Sequence, residues 1–599
     1  MASLGLGGPL IYGNAPLGSM QNRRRRTPPR LACHVAGKTT SAEAVVVRRS
    51  GNYRPSVWDE NYIHSLENKY AKQSQFQDRA KLLEEHVRNM LDGTEGSLKQ
   101  LELIDTLQRL GLSHHFGREI KSILQKIYTG RQENDTRTPK TEDLHAIALE
   151  FRLLRQHGFT VSQDVFDVIK NEKEYETFIE DLDDSVKGLL SLYEASYLST
   201  KSDTKLKEIR SYSTKRLRDF MIESGKNDEN ESYIHEMMVR SLEMPYHWRT
   251  SRLEARWYID VYGKTKDMNP LLLEFAKLDF NITQASYQED LKDVSRWWSN
   301  TGLKKLHFAR DRILENYFWT VELFHEPEFA YHRQKHTIVN ALVTTIDDIY
   351  DIYGTIEELQ QFTEIIRKWD VNLLDELPEY MRSCFLVLYN ETNQIGHDIL
   401  RDKKFNVIPY LKKAWADLAD SYLKEAKWHK SGYKPRFEEY IENAWISISA
   451  PVILTHTYCI LSDRISKETF DTISENSDPI VRSSSVVLRV ANDLGTSPDE
   501  LARGDVLKSM QCYMHETGAS EEEAREHMTT GVISDAWDEM NYNITARGSS
   551  VDSRFFGVAL DLGRMAQCMY QYGDGHGCPD IALTVDRAHS LLFDPVPLD

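Results

Sequence analysis

From about residue 60 onward, apolar residues recur at helical spacing almost throughout. In the stretch Leu98, Leu101, Ile104, Leu107 and Leu110 they return every third position, and Gly111 follows where a helix C-cap would sit. Ser520 with Glu523 forms a capping-box signature ahead of another helix, whose first turn carries Glu521 to Glu523 and suits the helix dipole. Sustained alternation with a period of two is hard to find, so the pattern predicts an all-α protein. No repeat of 20 to 50 residues shows itself, which disfavours a solenoid. Asp267-Met268-Asn269-Pro270 reads as a break between two helical regions, because proline is tolerated at the first position of a new helix.

Composition sharpens this picture. With 599 residues, two or three domains are expected, and 11 Trp, 29 Tyr and 21 Phe supply core-forming surface that a disordered chain lacks. No apolar run approaches the roughly 18 residues of a membrane span, so a soluble protein with no membrane partner is expected. The net charge of -18 argues against nucleic acid as a partner and favours acidic sites that hold cations. Cys33, Cys384, Cys459, Cys512, Cys568 and Cys578 lie at long, irregular spacings that suit neither a disulfide framework nor a Cys-x-x-Cys site. Residues 1–47 differ from the rest: Arg23, Arg24, Arg25, Arg26, Arg30 and Lys38 face the single acid Glu43 among Gly, Pro, Ser and Thr. That composition reads as an organellar transit peptide, with a basic tail that binds an acidic partner as the alternative.

The chemistry concentrates in Thr337 to Thr355, TIVNALVTTIDDIYDIYGT. On a helix Asn340, Thr344, Asp347 and Asp351, spaced 4, 3 and 4 apart, share one face among Ile338, Val339, Leu342, Val343 and Ile346. Carboxylates one turn apart beside apolar walls repel unless a cation neutralises them, and Mg²⁺ bridges such oxygens to phosphates. An acidic helix end in solvent is the alternative. A second oxygen-rich row, Asn492, Thr496 and Glu500, has helical spacing too, although Gly495 and Pro498 between them fit a helix terminus equally well. Arg310 and Arg312 in FARDR, Arg489, and Lys508 in RGDVLK are candidates for anionic contact.

Other patterns are set aside. Asp181-Leu182-Asp183-Asp184 lies in a uniformly polar stretch and reads as an acidic loop. His332 and His336 have i, i+4 spacing without the Glu of a zincin and read as a solvated face. Gly573, Gly575 and Gly577 form a loop rather than a dinucleotide fingerprint, and no Gly-x-Ser-x-Gly elbow is present.

The chain resembles the plant terpene synthases. Asp347-Asp348-Ile349-Tyr350-Asp351 is similar to that family's aspartate-rich metal motif, and Asn492, Thr496 and Glu500 are similar to its second metal motif. Arg48-Arg49, eight residues, then Trp58 resembles the tandem-arginine motif of the monoterpene branch. YEASYLSTKSDTKL, NAWISISAP and MYQYGDGHGCP resemble angiosperm cineole synthases.

The resemblance implies a plastid protein of two all-α domains. Residues 48–269 would form a relict N-terminal α-barrel and residues 270–599 a C-terminal class I terpenoid synthase bundle. It further implies a carbon–oxygen lyase acting on geranyl diphosphate with three Mg²⁺ or Mn²⁺ ions. Asp347, Asp351, Asn492, Thr496 and Glu500 would hold the metals, and Arg310, Arg489 and Lys508, with Asp347, Asp351 and Asn492, the diphosphate. Trp319 and Tyr422 would shield a carbocation, Arg48 and Arg49 would close the site, and Asn340 would hold a water that is captured on the way to 1,8-cineole. Other products (α-terpineol, sabinene, limonene, myrcene or ocimene) and a non-catalytic isoprenoid diphosphate-binding protein remain alternatives, as do monomer and homodimer.

Overall fold

The computed structural model describes residues 48–133, 143–168, 182–224, 233–475, 478–547, 553–578 and 581–598. Within them there are helices and no strands. The helices used below are numbered in chain order. Helix α1 (Ser97–Arg109) buries Leu101, Ile104 and Leu107, as their spacing predicts. It ends on Gly111 at φ 74°, a backbone position that disfavours any side chain, and Leu112 N–H closes the turn on Leu107 O at 2.8 Å. Ser520 and Glu523 form the predicted capping box.

The helices before residue 263 pack on one another, with Ser97–Arg109 against Leu144–Gln156 and Leu182–Ser196 against Thr204–Ser224. Their interior holds charges as well as hydrocarbon, and these charges are paired. Arg155 meets Asp203 at 2.5 Å, and Arg249 bridges Glu254 at 2.6 Å and Glu194 at 3.4 Å. A buried ion needs such a partner, because removing it from water is expensive.

Helix α2 (Pro270–Thr301) opens at the predicted proline. Asn269 Oδ1 accepts from Leu271 N–H and Leu272 N–H, and Pro270 occupies the first turn, where no N–H is needed. This long helix packs on Ser74–Gly93 of the earlier set and also on the helices that follow. Those are α3 (Ile313–Leu323), α4 (Ala330–Asp348), α5 (Ile356–Lys368), α6 (Ile408–Ser431), α7 (Phe437–Ser447), α8 (Ala450–Leu461), α9 (Pro479–Arg503), α10 (Ser509–Thr517) and α11 (Ser553–Tyr570). They surround a cavity of about 450 Å³.

Two expectations need correction. Residues Phe437–Leu461 are long and apolar enough to cross a membrane, contrary to the reading that no such run exists. Yet 89% of the most apolar window is buried inside the fold, and Ser449 at φ 71° breaks the stretch into α7 and α8, so it serves as core. The His332 and His336 face is not solvated. His336 is fully buried between His332 O at 2.9 Å and Thr457 Oγ1 at 3.0 Å, because α4 lies inside the bundle. Asp181 lies outside the described residues, and a helix begins at Leu182. Cys384, Cys459, Cys512, Cys568 and Cys578 are all free thiols.

Candidate active site

Helix α4 is buried on nearly every side, which fits its apolar sequence, and it gives way to a wider π-helical turn at Ile349–Tyr353. Asn340, Thr344, Asp347 and Asp351 all face the cavity, as their spacing predicts. The intervening Asp348 turns away and is fully buried. Its carboxylate accepts from Arg310 N–H at 2.7 Å and from the Arg310 guanidinium, whose other arm reaches Asp347 at 2.5 Å.

Helix α9 runs unbroken through Gly495 and Pro498, so the helix-terminus reading is overturned. Gly495 suits this position: a Cβ would sit 3.0 Å from Gly573 O, Tyr570 Cβ and Tyr570 O, so any side chain would push α9 back from the end of α11 by a few tenths of an ångström. Continuity places Asn492, Thr496 and Glu500 on one face, and all three line the same cavity as the oxygen row of α4. Thr496 Oγ1 donates to Asn492 O at 3.0 Å. Asp493 points elsewhere, to Tyr440 OH at 2.9 Å and Ser509 N–H at 3.0 Å, and pairs with Arg489 at 2.5 Å.

The electrostatics differ from those of an ordinary surface. Burial, then the neighbouring Asp347, push the Asp351 carboxyl well above the usual carboxylate range. Burial likewise raises Glu500, whose Oε2 has no hydrogen-bond partner. Burial works against the Lys508 ammonium, but Glu500 at 3.8 Å together with Glu425 and Asp351 outweighs it and holds the lysine charged. Hard oxygens that repel one another in a buried wall, with one carboxylate oxygen unpartnered, fit divalent cations.

Arg310, Arg489 and Lys508 line the same cavity, and so do Trp319 and Tyr422. Arg312 does not. Its guanidinium is buried against carbonyl oxygens of Arg54, His576 and Gly577 at 2.8 to 3.1 Å, so it ties chain segments together instead of receiving an anion. The side chain of Asn340 reaches Thr320 Oγ1 at 3.4 Å through its Nδ2, while its buried Oδ1 has no partner.

The tandem arginines do not line the cavity but anchor the extended segment that does. Arg48 grips Glu358 with two bonds of 2.8 Å and donates to Tyr353 O at 2.8 Å. Arg49 donates to Asp351 O at 3.0 Å and pairs with Asp505 at 2.5 Å. Residues Gly51 to Arg54 then form part of the cavity wall, with the Tyr53 ring 4.9 Å from the Arg310 guanidinium. Trp58 Nε1–H donates to the buried Glu315 at 3.0 Å, and its ring packs on His589 and Phe593.

Sequence reasoning passed over Asn316, Glu425, Tyr570, Asp574 and His576, all in the wall. Glu425 accepts from Asn443 at 2.9 Å and from Ser447. The loop set aside as a mere loop supplies Asp574 and His576. An acid and a histidine embedded among three glycines was the available signal.

Comparison with known proteins agrees with this geometry. Residues 299–539 match the family model "Terpene synthase family, metal binding domain", and residues 57–242 match "Terpene synthase, N-terminal domain". The chain is a terpene synthase of the monoterpene branch.

It is 58% identical to 1,8-cineole synthase 1, chloroplastic, of Arabidopsis thaliana, over all of this chain and 99% of that protein. It is also 55% identical to Beta-myrcene/(E)-beta-ocimene synthase 2, chloroplastic, of the same plant, over 100% of both. A solved limonene synthase with 2-fluorolinalyl diphosphate superposes with a TM-score of 0.86 at 47% identity, covering 92% of this chain and 100% of that one. This terpene synthase is therefore a lyase with a divalent metal cofactor, and its localisation is plastid.

Proposed function

We propose that this terpene synthase converts geranyl diphosphate to 1,8-cineole. The observation that carries the reading is the pair of oxygen rows on α4 and α9 lining one cavity with Arg310, Arg489 and Lys508. Three Mg²⁺ or Mn²⁺ ions held by Asp347, Asp351, Asn492, Thr496 and Glu500 supply, when bound, Lewis-acid neutralisation of the diphosphate. Arg310, Arg489 and Lys508 stabilise the negative charge that develops on the leaving group. Trp319 and Tyr422 present aromatic faces to the allylic cation left behind. The segment Gly51 to Arg54, anchored by Arg48 and Arg49, keeps bulk water out while the allylic cation and the diphosphate rejoin as the linalyl isomer, which ionises again and closes to the α-terpinyl cation.

Asn340 decides the product in this reading. Its unpartnered Oδ1 lies in a buried wall, where a bound water satisfies it. Oxygen of that water attacks the α-terpinyl cation to give α-terpineol, and internal addition of the hydroxyl across the ring alkene gives 1,8-cineole. Capture releases one proton, the ring alkene takes up one, and the hydroxyl proton released as the ether closes leaves with the departed diphosphate.

The similarity to a chain named for acyclic products supports a second reading, in which the cation is quenched before ring closure. Incubation with geranyl diphosphate and Mg²⁺, followed by gas chromatography, separates the two. Cineole is expected from the wild type, and hydrocarbons such as sabinene, limonene and myrcene from Asn340→Ile. A wild-type mixture of hydrocarbons alone rejects the capture role. No volatile product at all rejects catalysis on this substrate.

A further inference from the structure

Outside the cavity, His114, His115 and Asp279 bring three ligand atoms within 4.8 Å of one another. The histidines sit on the short turn Ser113–Phe116 that follows α1, and Asp279 lies on α2. His115 Nε2 is 2.8 Å and His114 Nε2 is 3.7 Å from Asp279 Oδ1. A tetrahedral site with imidazole and carboxylate bonds of about 2.0 to 2.1 Å separates its ligand atoms by about 3.3 Å, within the same range.

The tautomer of His114 makes this cluster unusual. Its Nδ1 is 3.1 Å from Gly111 O, and a carbonyl only accepts, so Nδ1 carries the proton and Nε2 presents a lone pair. That Nε2 is buried without a hydrogen-bond partner, and a carboxylate oxygen of Asp279 lies 3.7 Å from it. Two acceptors thus face each other in a side-chain environment only 11% and 7% exposed. A soft-to-borderline cation between them removes the conflict.

The surrounding contacts match those that orient metal ligands. His114 donates its other N–H to a backbone carbonyl, and Gly111 is held there by its positive φ and by Ala255, which a Cβ would meet at 2.9 Å. His115 Nδ1 faces Glu84 Oε2 at 3.9 Å, and Asp279 Oδ2 accepts from Arg252 Nη1 at 3.2 Å. On metal binding, the proton that His115 Nε2 shares with Asp279 moves to Nδ1, toward Glu84, so no net charge is buried beyond the ion itself.

We propose that His114, His115 and Asp279 form a second metal site that takes a transition-metal ion such as Zn²⁺, with a solvent molecule as fourth ligand and His115, a quarter exposed, on the entry side. Two imidazoles select against Mg²⁺, so this site is distinct from the oxygen-rich cavity. Its ion staples the turn after α1 to α2, the helix that packs on both halves of the chain.

Co²⁺ titrated into the full chain, with Mg²⁺ in large excess to hold the cavity, tests this by visible absorption. A tetrahedral nitrogen-bound Co²⁺ absorbs strongly, whereas an octahedral oxygen-bound ion does not. One equivalent of absorbing Co²⁺ is expected, displaced by one equivalent of Zn²⁺. The band should be lost in His114→Gln and in His115→Gln, each checked for wild-type circular dichroism, and retained in Asp347→Ala. Zn²⁺ should raise the wild-type melting temperature and leave His115→Gln unmoved. Absence of the band in the wild type, its survival in both histidine variants, or its loss in Asp347→Ala overturns the proposal.

Discussion

The two halves of this chain handle buried charge in opposite ways. In the helices before residue 263, acids and bases neutralise each other: Arg249 sits between Glu194 and Glu254, and Arg155 holds Asp203. In the cavity behind α4 and α9, Asp351 is raised by burial and by Asp347, and Glu500 keeps an oxygen that no hydrogen bond satisfies, with Lys508 no nearer than 3.8 Å. A paired charge belongs to the fold, and a charge left in conflict belongs to a ligand. The difference is a guide to where chemistry sits, independent of motifs.

The sharpest way to break this contrast is to remove one charge from each half. Asp347→Ala or Asp351→Ala should lower turnover by roughly a thousandfold, about 4 kcal/mol of barrier, in a steady-state assay with Mg²⁺. Asp351→Ala should melt at or above the wild-type temperature, because a repulsion is relieved, whereas Asp347→Ala also gives up its ion pair with Arg310 and should melt near the wild type. Arg249→Ala should do the reverse. It strips Glu194 of its arginine and leaves Glu254 to the more distant Arg240 and Arg109, and should cost about 3 kcal/mol of stability in chemical denaturation.

Glu315 belongs to neither class. It accepts from Trp58, yet burial pushes its carboxyl up to about 7. A raised carboxyl contributes stability that is complete below the unfolded value of about 4.5 and is lost as pH climbs through about 7. Glu315→Gln removes that dependence. Between pH 5 and 8 the wild type should lose about 2 to 3 kcal/mol more than the variant, measured by denaturation at each pH. The smallest effect is expected at the extended segment. Removing Arg48 and Arg49 should reduce cyclic products from geranyl diphosphate roughly fivefold, about 1 kcal/mol, with less effect on linalyl diphosphate. Equal losses on both substrates break the assignment of these arginines to closure.

Much of this was legible in the sequence because it is local. Spacing alone placed Asn340, Thr344, Asp347 and Asp351 on one face, and Pro270 at the head of α2. What failed depended on partners far along the chain. Pro498 looked like a helix stop, but α9 continues through it, with Gly495 close against Tyr570 and Gly573. Arg312 looked like a phosphate ligand until its three distant carbonyls were visible. His336 looked solvated because i, i+4 spacing says nothing about which face a bundle covers. Asp574 and His576 escaped because a glycine-rich loop carries no period.

Arg312 also has a consequence for how the protein is made. Its guanidinium holds Arg54 on one side and Gly577 on the other, and Trp58 packs on His589 and Phe593. The first and last stretches of the folded chain therefore meet only after translation has delivered both. At about 5 to 20 residues per second, the first segment emerges roughly half a minute to two minutes before its partners exist. The nascent chain is an enzyme without a closed chamber for that whole interval, and a ribosome that stalls some 30 codons early releases a protein whose metal-motif helices are complete and whose first segment still reaches Glu358 and Asp505, but which lacks the C-terminal loop and helix that Arg312 and Trp58 join to it.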